Sequence, residues 1–104
     1  MPTATPVLDT IVDITAASAE HSSLKARELM LARIAALVAI DAPPASYVAN
    51  AGLASDSGVT RDDVQGVLIA IAPVVGTAKV VSAGTNLLKA LGLAIAVAED
   101  DADI

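Results

Sequence analysis

The stretch Thr60-Arg-Asp-Asp-Val-Gln-Gly-Val-Leu-Ile-Ala-Ile-Ala-Pro-Val-Val75 decides how this chain is read. Its first four residues form a capping-box pattern with Asp63 in place of the usual Glu, in which two orphan N–H groups at a helix start are satisfied reciprocally. Val64, Val67, Leu68, Ile71 and Val75 then recur at helical spacing, and no period-2 alternation is sustained. The segment predicts an α-helix at the hydrophobic centre of the protein. Pro73, which lacks an N–H and crowds the preceding turn, is expected to kink or end it.

Toward the C-terminus, Gly76-Thr77 supplies a break and a cap. A further helix follows across Val80, Val81, Asn86, Leu87, Leu88 and Leu91, with Gly92 as a stop or bend and residues 93–98 adding a last turn or two. Glu99-Asp-Asp-Ala-Asp103 is a like-charge run that repels itself, so residues 99–104 are expected to form a solvated, disordered tail. Toward the N-terminus, Pro44 suits a first helical position and Gly58 a left-handed cap, which brackets a helix from Ala45 to about Asp56. Before it, Ser23 is a candidate N-cap for a helix that places Met30, Ile34, Leu37 and Val38 on one face and stops before Pro43-Pro44. Val7, Leu8, Ile11, Val12 and Ile14 give the first amphipathic helix, behind a loose arm of residues 1–6. The fold class is all-α: a compact bundle of five or six helices forming a single domain over residues 7–98.

Composition narrows the function classes. At 104 residues the chain holds one core. It is 55% hydrophobic, yet it has one Tyr and neither Phe nor Trp, so the apolar mass lies in Ala, Val, Leu and Ile, whose small side chains let helices approach closely. A small domain buries only part of its apolar surface alone, which predicts a homo-oligomer. A net charge of -6 opposes a phosphate-backbone partner, so no nucleic acid is expected. With no cysteine there is no disulfide, thiolate nucleophile or Cys-ligated metal. No basic leader with a long apolar core is visible, and every apolar run falls short of the roughly 20 residues a membrane span needs. The expectation is a cytoplasmic protein with no membrane partner.

The ordered series Arg27-Glu-Leu-Met-Leu-Ala-Arg-Ile-Ala-Ala-Leu37, a Pro-containing break, Gly58-Val-Thr60, Asp62-Asp63-Val64 and Val75-Gly-Thr-Ala78 resembles the carboxymuconolactone decarboxylase family, which includes alkylhydroperoxidase D-like proteins. The resemblance covers roughly residues 25–92. It implies small all-helical subunits assembled as trimers or hexamers. In the peroxidase branch a Cys-x-x-Cys-x-x-x-His pattern lies before the glycine, and counting back from Gly58 puts Pro43, Ser46 and Asn50 at those positions. None of the three does thiol chemistry, so peroxidase activity is not expected. The decarboxylase branch is cofactor-free and lacks the cysteine pair, but its histidine also falls near Asn50, which exchanges no proton at neutral pH. The resemblance therefore implies a non-redox protein acting on or binding a small carboxylic acid or lactone, with no cofactor and no metal.

Four residues are candidates for holding such a ligand: Arg33, Ser46, Tyr47 and Asn50. An arginine on an otherwise apolar helix suits an acidic substrate, and the same side chain also serves by snorkelling or by pairing across a subunit interface. Tyr47 offers a hydroxyl beside the implied site, or packs in the core with that hydroxyl bonded to backbone. Lys79 and Asn86 face either the same cavity or the surface. His21, the sole histidine, lies in a Ser-rich connection and reads as exposed. Glu28 occupies the helix on which, by resemblance, a glutamate assists chemistry, and reads equally as solvent-facing. No complete catalytic set emerges. The competing reading is a catalytically silent homo-oligomer with a structural or interaction role.

Overall fold

The computed structural model describes residues 5–102, and side chains through residue 90. Five α-helices are present among them: α1 Pro6–His21, α2 Ala26–Ala39, α3 Pro44–Asp56, α4 Arg61–Val75 and α5 Thr77–Ala102. No strand occurs among the described residues. The all-α reading of the sequence holds.

Local chemistry explains most of the boundaries. The Thr60 hydroxyl accepts from the Asp63 N–H at 3.1 Å, and the Asp63 carboxylate accepts from the Thr60 N–H at 2.9 Å, so the capping box starts α4 as the sequence predicts. Pro44 occupies the first turn of α3. That helix ends on Gly58, with φ 82°, where the Val59 and Gly58 N–H groups close back onto the Ala54 and Ser55 carbonyls at 3.0 and 3.1 Å. The same pair of bonds ends α2, Ala42 onto Leu37 and Asp41 onto Val38, with Asp41 at φ 55° in the left-handed region.

Several expectations need correction. α2 begins at Ala26 behind Lys25, not at a Ser23 cap; nearby, it is Ser22 whose hydroxyl accepts from backbone, at the Leu24 N–H. Pro73 does not end α4, which runs two residues further to Val75. A proline in the last turn removes only one hydrogen bond, and the carbonyl it leaves free belongs to Ile69, a residue 75% exposed and within reach of water. Nor is α4 the hydrophobic centre: none of its residues is buried. The core lies between α2, α3 and α5, around Val38, Ala42, Tyr47, Ala83 and Ala90, while Leu68, Ile71 and Val75 of α4 close it from one side. Alanines at 83 and 90 give α5 a smooth face on which Val38, fully buried, and Tyr47 fit.

α5 is continuous past Gly92, and its bounds take in residues 99–102 of the stretch expected to be a disordered tail. Residues 103–104, like 1–4 of the expected arm, lie outside the described residues. The longest dimension of the molecule is 47 Å, which α5 largely sets, since 26 helical residues span about 39 Å.

Candidate functional site

The position of α1 creates the site. Its apolar stripe is not drawn into the core, and α1 has no buried residue. Instead, α1 stands beside α2 and α3 across a cleft with two adjoining recesses of about 280 and 480 Å³ that share Thr15, Arg33 and Asn50. Ile11, Val12, Ala16, Ala19, Ala49 and Leu53 wall the larger recess; Ile14, Ser18, Ala36 and Leu37 wall the smaller. Volumes of this order match those of small-ligand clefts.

Arg33 reaches into this space from the middle of α2. Its Nη2 donates to the Thr15 carbonyl at 3.0 Å, the one hydrogen bond that ties α1 to another helix among the described residues. A guanidinium has five N–H donors, so this single bond leaves most of the fork available. No carboxylate lies within ion-pair distance of Arg33 among the described residues; the ion pair found there joins Arg27 to Asp63 at the surface. Asn50, on α3, lines both recesses and donates from Nδ2 to the Ser46 carbonyl at 2.8 Å, the i to i−4 bond of its own helix, which leaves its second Nδ2 hydrogen and its Oδ1 unengaged.

The four candidate residues therefore separate. Arg33 and Asn50 share one solvent-reachable cleft. Ser46 stands one turn before Asn50 and contributes its carbonyl to that side chain's anchoring, but lines neither recess. Tyr47 turns the other way, into the core, where it is 5% exposed and its hydroxyl has no hydrogen-bond partner. Burial, and next the Asp41 charge, raise the Tyr47 hydroxyl above its ordinary pKa. An uncharged phenol is thus retained well above neutral pH.

Lys79 and Asn86 belong to a different device. Lys79 Nζ donates to the Ala39 carbonyl at 2.7 Å and Asn86 Nδ2 to the Ala42 carbonyl at 3.1 Å, so both bind the end of α2 and neither enters the cleft. Glu28, in the first turn of α2, and His21, at the end of α1, are exposed. The cleft walls supplied by α1 and by Leu53 were not anticipated as site residues. Their signal was present in the sequence, since Val12, Ala16 and Ala19 repeat at helical spacing, but nothing in it placed that face opposite Arg33.

Among the described residues the cleft offers one fixed cation, one amide, the Thr15 and Ser18 hydroxyls and otherwise apolar walls. None of its lining side chains exchanges a proton near neutral pH. Among the described residues, no group of three His, Asp or Glu lies together where it would hold a metal ion, and no helix is long and apolar enough to cross a membrane. Compared with protein-family models, curated proteins and solved structures, the chain matches none.

Proposed function

We propose that this protein binds a small carboxylic acid in the cleft between α1, α2 and α3, with Arg33 pairing to the carboxylate and Asn50 donating beside it through the Nδ2 hydrogen that Ser46 does not take. The observation that carries the reading is an arginine without a carboxylate partner among the described residues, projecting into an otherwise apolar cleft. A half-buried guanidinium is stabilised by an anion that satisfies its remaining donors, and charge-assisted bidentate bonds are stronger than neutral ones. The motif order over residues 25–92, which resembles the carboxymuconolactone decarboxylase family, agrees with a small-acid ligand. The absence of a proton-exchanging group from the cleft lining favours binding over acid–base turnover. An amide-shift titration with small carboxylates tests this. Shifts confined to the amides of residues 11–19, 33–37 and 49–53, and abolished in Arg33→Gln, are the expected result. A panel of carboxylates that leaves these amides unmoved overturns the reading.

A homo-oligomer is a second reading, which the exposure of α1 favours. Val7 is 72% exposed, Leu8 59% and Ile14 64%, an apolar density that isolated soluble helices rarely present to water. Light scattering of the wild-type chain and of a Val7→Glu, Leu8→Glu double variant tests it. The expected result is an assembly that the double variant reduces to a monomer; a wild-type monomer at tens of micromolar overturns it.

A further inference from the structure

Resting on the small-acid reading, the walls of the same cleft specify the rest of the ligand: we infer that the bound acid is an aliphatic monocarboxylate whose unsubstituted hydrocarbon chain lies along α1 against Ile11, Val12, Ala16, Ala19 and Leu53. In the larger recess the polar side chains are Arg33, Asn50 and Thr15, and the Thr15 carbonyl is already engaged by Arg33. Arg33 and Thr15 are joined directly, and apart from these two and Asn50 the lining of the larger recess is hydrocarbon.

That arrangement discriminates among acids. A second carboxylate, placed among Ile11, Val12 and Leu53, would lose hydration and find no further cation, since Arg33 is the one positive charge lining the cleft among the described residues. The net charge of -6 adds a general repulsion that grows with the charge of the ligand. A hydroxyl carried against Ile11, Val12, Ala16, Ala19 and Leu53, away from Thr15 and Asn50, would likewise lack a partner, which a site penalises more heavily than it penalises a missing methylene. An alkyl chain carries none of these costs. It also covers wall residues that stand open to water, Ile11 at 52%, Val12 at 64% and Leu53 at 49%. Each methylene it buries contributes about fourfold in affinity.

Calorimetric titration of the full chain with butyrate, hexanoate, octanoate, adipate and δ-valerolactone tests this. Affinity is expected to rise by about fifteenfold for each two methylenes from butyrate to octanoate, with adipate weaker than hexanoate although both have six carbons. Arg33→Gln should abolish binding of every acid. Leu53→Gln, which removes an apolar wall residue at a half-exposed position, should flatten the chain-length dependence. If adipate binds as well as hexanoate, or if Arg33-dependent affinity is flat with chain length, the aliphatic inference fails and the small-acid reading stands; if the lactone, which has no carboxylate, binds as well as hexanoate, both fail. If none of the acids binds, both fail. A chain-length dependence that survives in Arg33→Gln marks nonspecific association with apolar surface and overturns the inference.

Discussion

Ser82 donates its hydroxyl hydrogen to the Asp41 carboxylate, Oγ to Oδ1 at 2.5 Å, across 41 residues of sequence. Asp41 is the non-glycine residue whose φ, 55°, lies in the left-handed region, and it ends α2 immediately before Ala42 and the two prolines that launch α3. Three side chains one turn apart on α5 address this corner: Lys79 binds the Ala39 carbonyl, Ser82 binds Asp41 and Asn86 binds the Ala42 carbonyl. The Lys79 ammonium also meets the negative end of the α2 dipole. The corner is therefore held by α5 rather than by the turn's own residues alone.

Asp41 combines two effects that substitution separates. Asp41→Gly loses the Ser82 bond but relieves the left-handed backbone, whereas Asp41→Ala loses the bond and keeps a Cβ in a region that disfavours it by about 1 kcal/mol. Urea unfolding should therefore rank the variants wild type, Gly, Ala in falling stability, with Gly and Ala separated by about 1 kcal/mol. Ser82→Ala should cost about 1 kcal/mol in wild type and almost nothing in the Asp41→Ala background, because the two changes remove the same bond.

Tyr47 gives a second prediction. Its hydroxyl is buried without a partner, so Tyr47→Phe keeps the ring's packing against Val38 and Ala83 and removes an unsatisfied polar atom. The variant should equal wild type or exceed it by about 1 kcal/mol. The pH dependence follows from the raised pKa. Below pH about 10 the phenol is neutral in both folded and unfolded chains and contributes no slope. As pH rises from there toward the higher folded value, the unfolded chain ionises first, the folded state is progressively disfavoured, and stability falls. Helical circular dichroism against pH should show an alkaline loss in wild type that Tyr47→Phe diminishes. With no other Tyr and no Trp in the chain, tyrosinate absorbance reports this one group directly.

How much of this was legible in the sequence depends on the range of the interaction. Capping box, proline start and glycine stop are contained within a few residues, and Thr60, Pro44 and Gly58 stand where those signals put them. Helix existence followed from hydrophobic spacing. The identity of the central helix did not, because α4 and α2 carry comparable apolar stripes and only packing decides which is enclosed: Val38 of α2 is buried with Ala83 and Ala90 of α5, while Leu68, Ile71 and Val75 of α4 are only partly buried against that cluster. The functional readings divide in the same way. An arginine on an apolar helix is visible in one dimension, and Arg33 lines the cleft. Which residues accompany it is not, since Tyr47 and Asn50 are three apart on α3 and the rotation of that helix sends one to the core and the other to the cleft. Lys79 and Asn86 read in isolation as facing either a cavity or the surface, and only the α2 to α5 crossing shows that they serve the corner at Asp41.

The start of α4 supplies the last prediction, at the opposite end of the pH scale. Asp63 is held below the ordinary aspartate range, first by the Thr60 N–H it accepts from; desolvation, next in size, opposes this, and the Thr60 hydroxyl and then the Arg27 guanidinium add to the lowering. A carboxylate lowered in the folded state contributes stability that is present above its unfolded value, near pH 4, and is lost as pH falls through the lower folded value. Protonation abolishes the acceptor role in the capping box and the pairing with Arg27 together. Asp63→Asn should therefore destabilise the protein at neutral pH and flatten the acid limb of its stability profile, so that wild type and variant converge near pH 2. Thr60→Ala removes the other half of the box and should cost about 1 kcal/mol at neutral pH. An acid limb equally steep in wild type and in Asp63→Asn would show that another carboxylate governs acid unfolding.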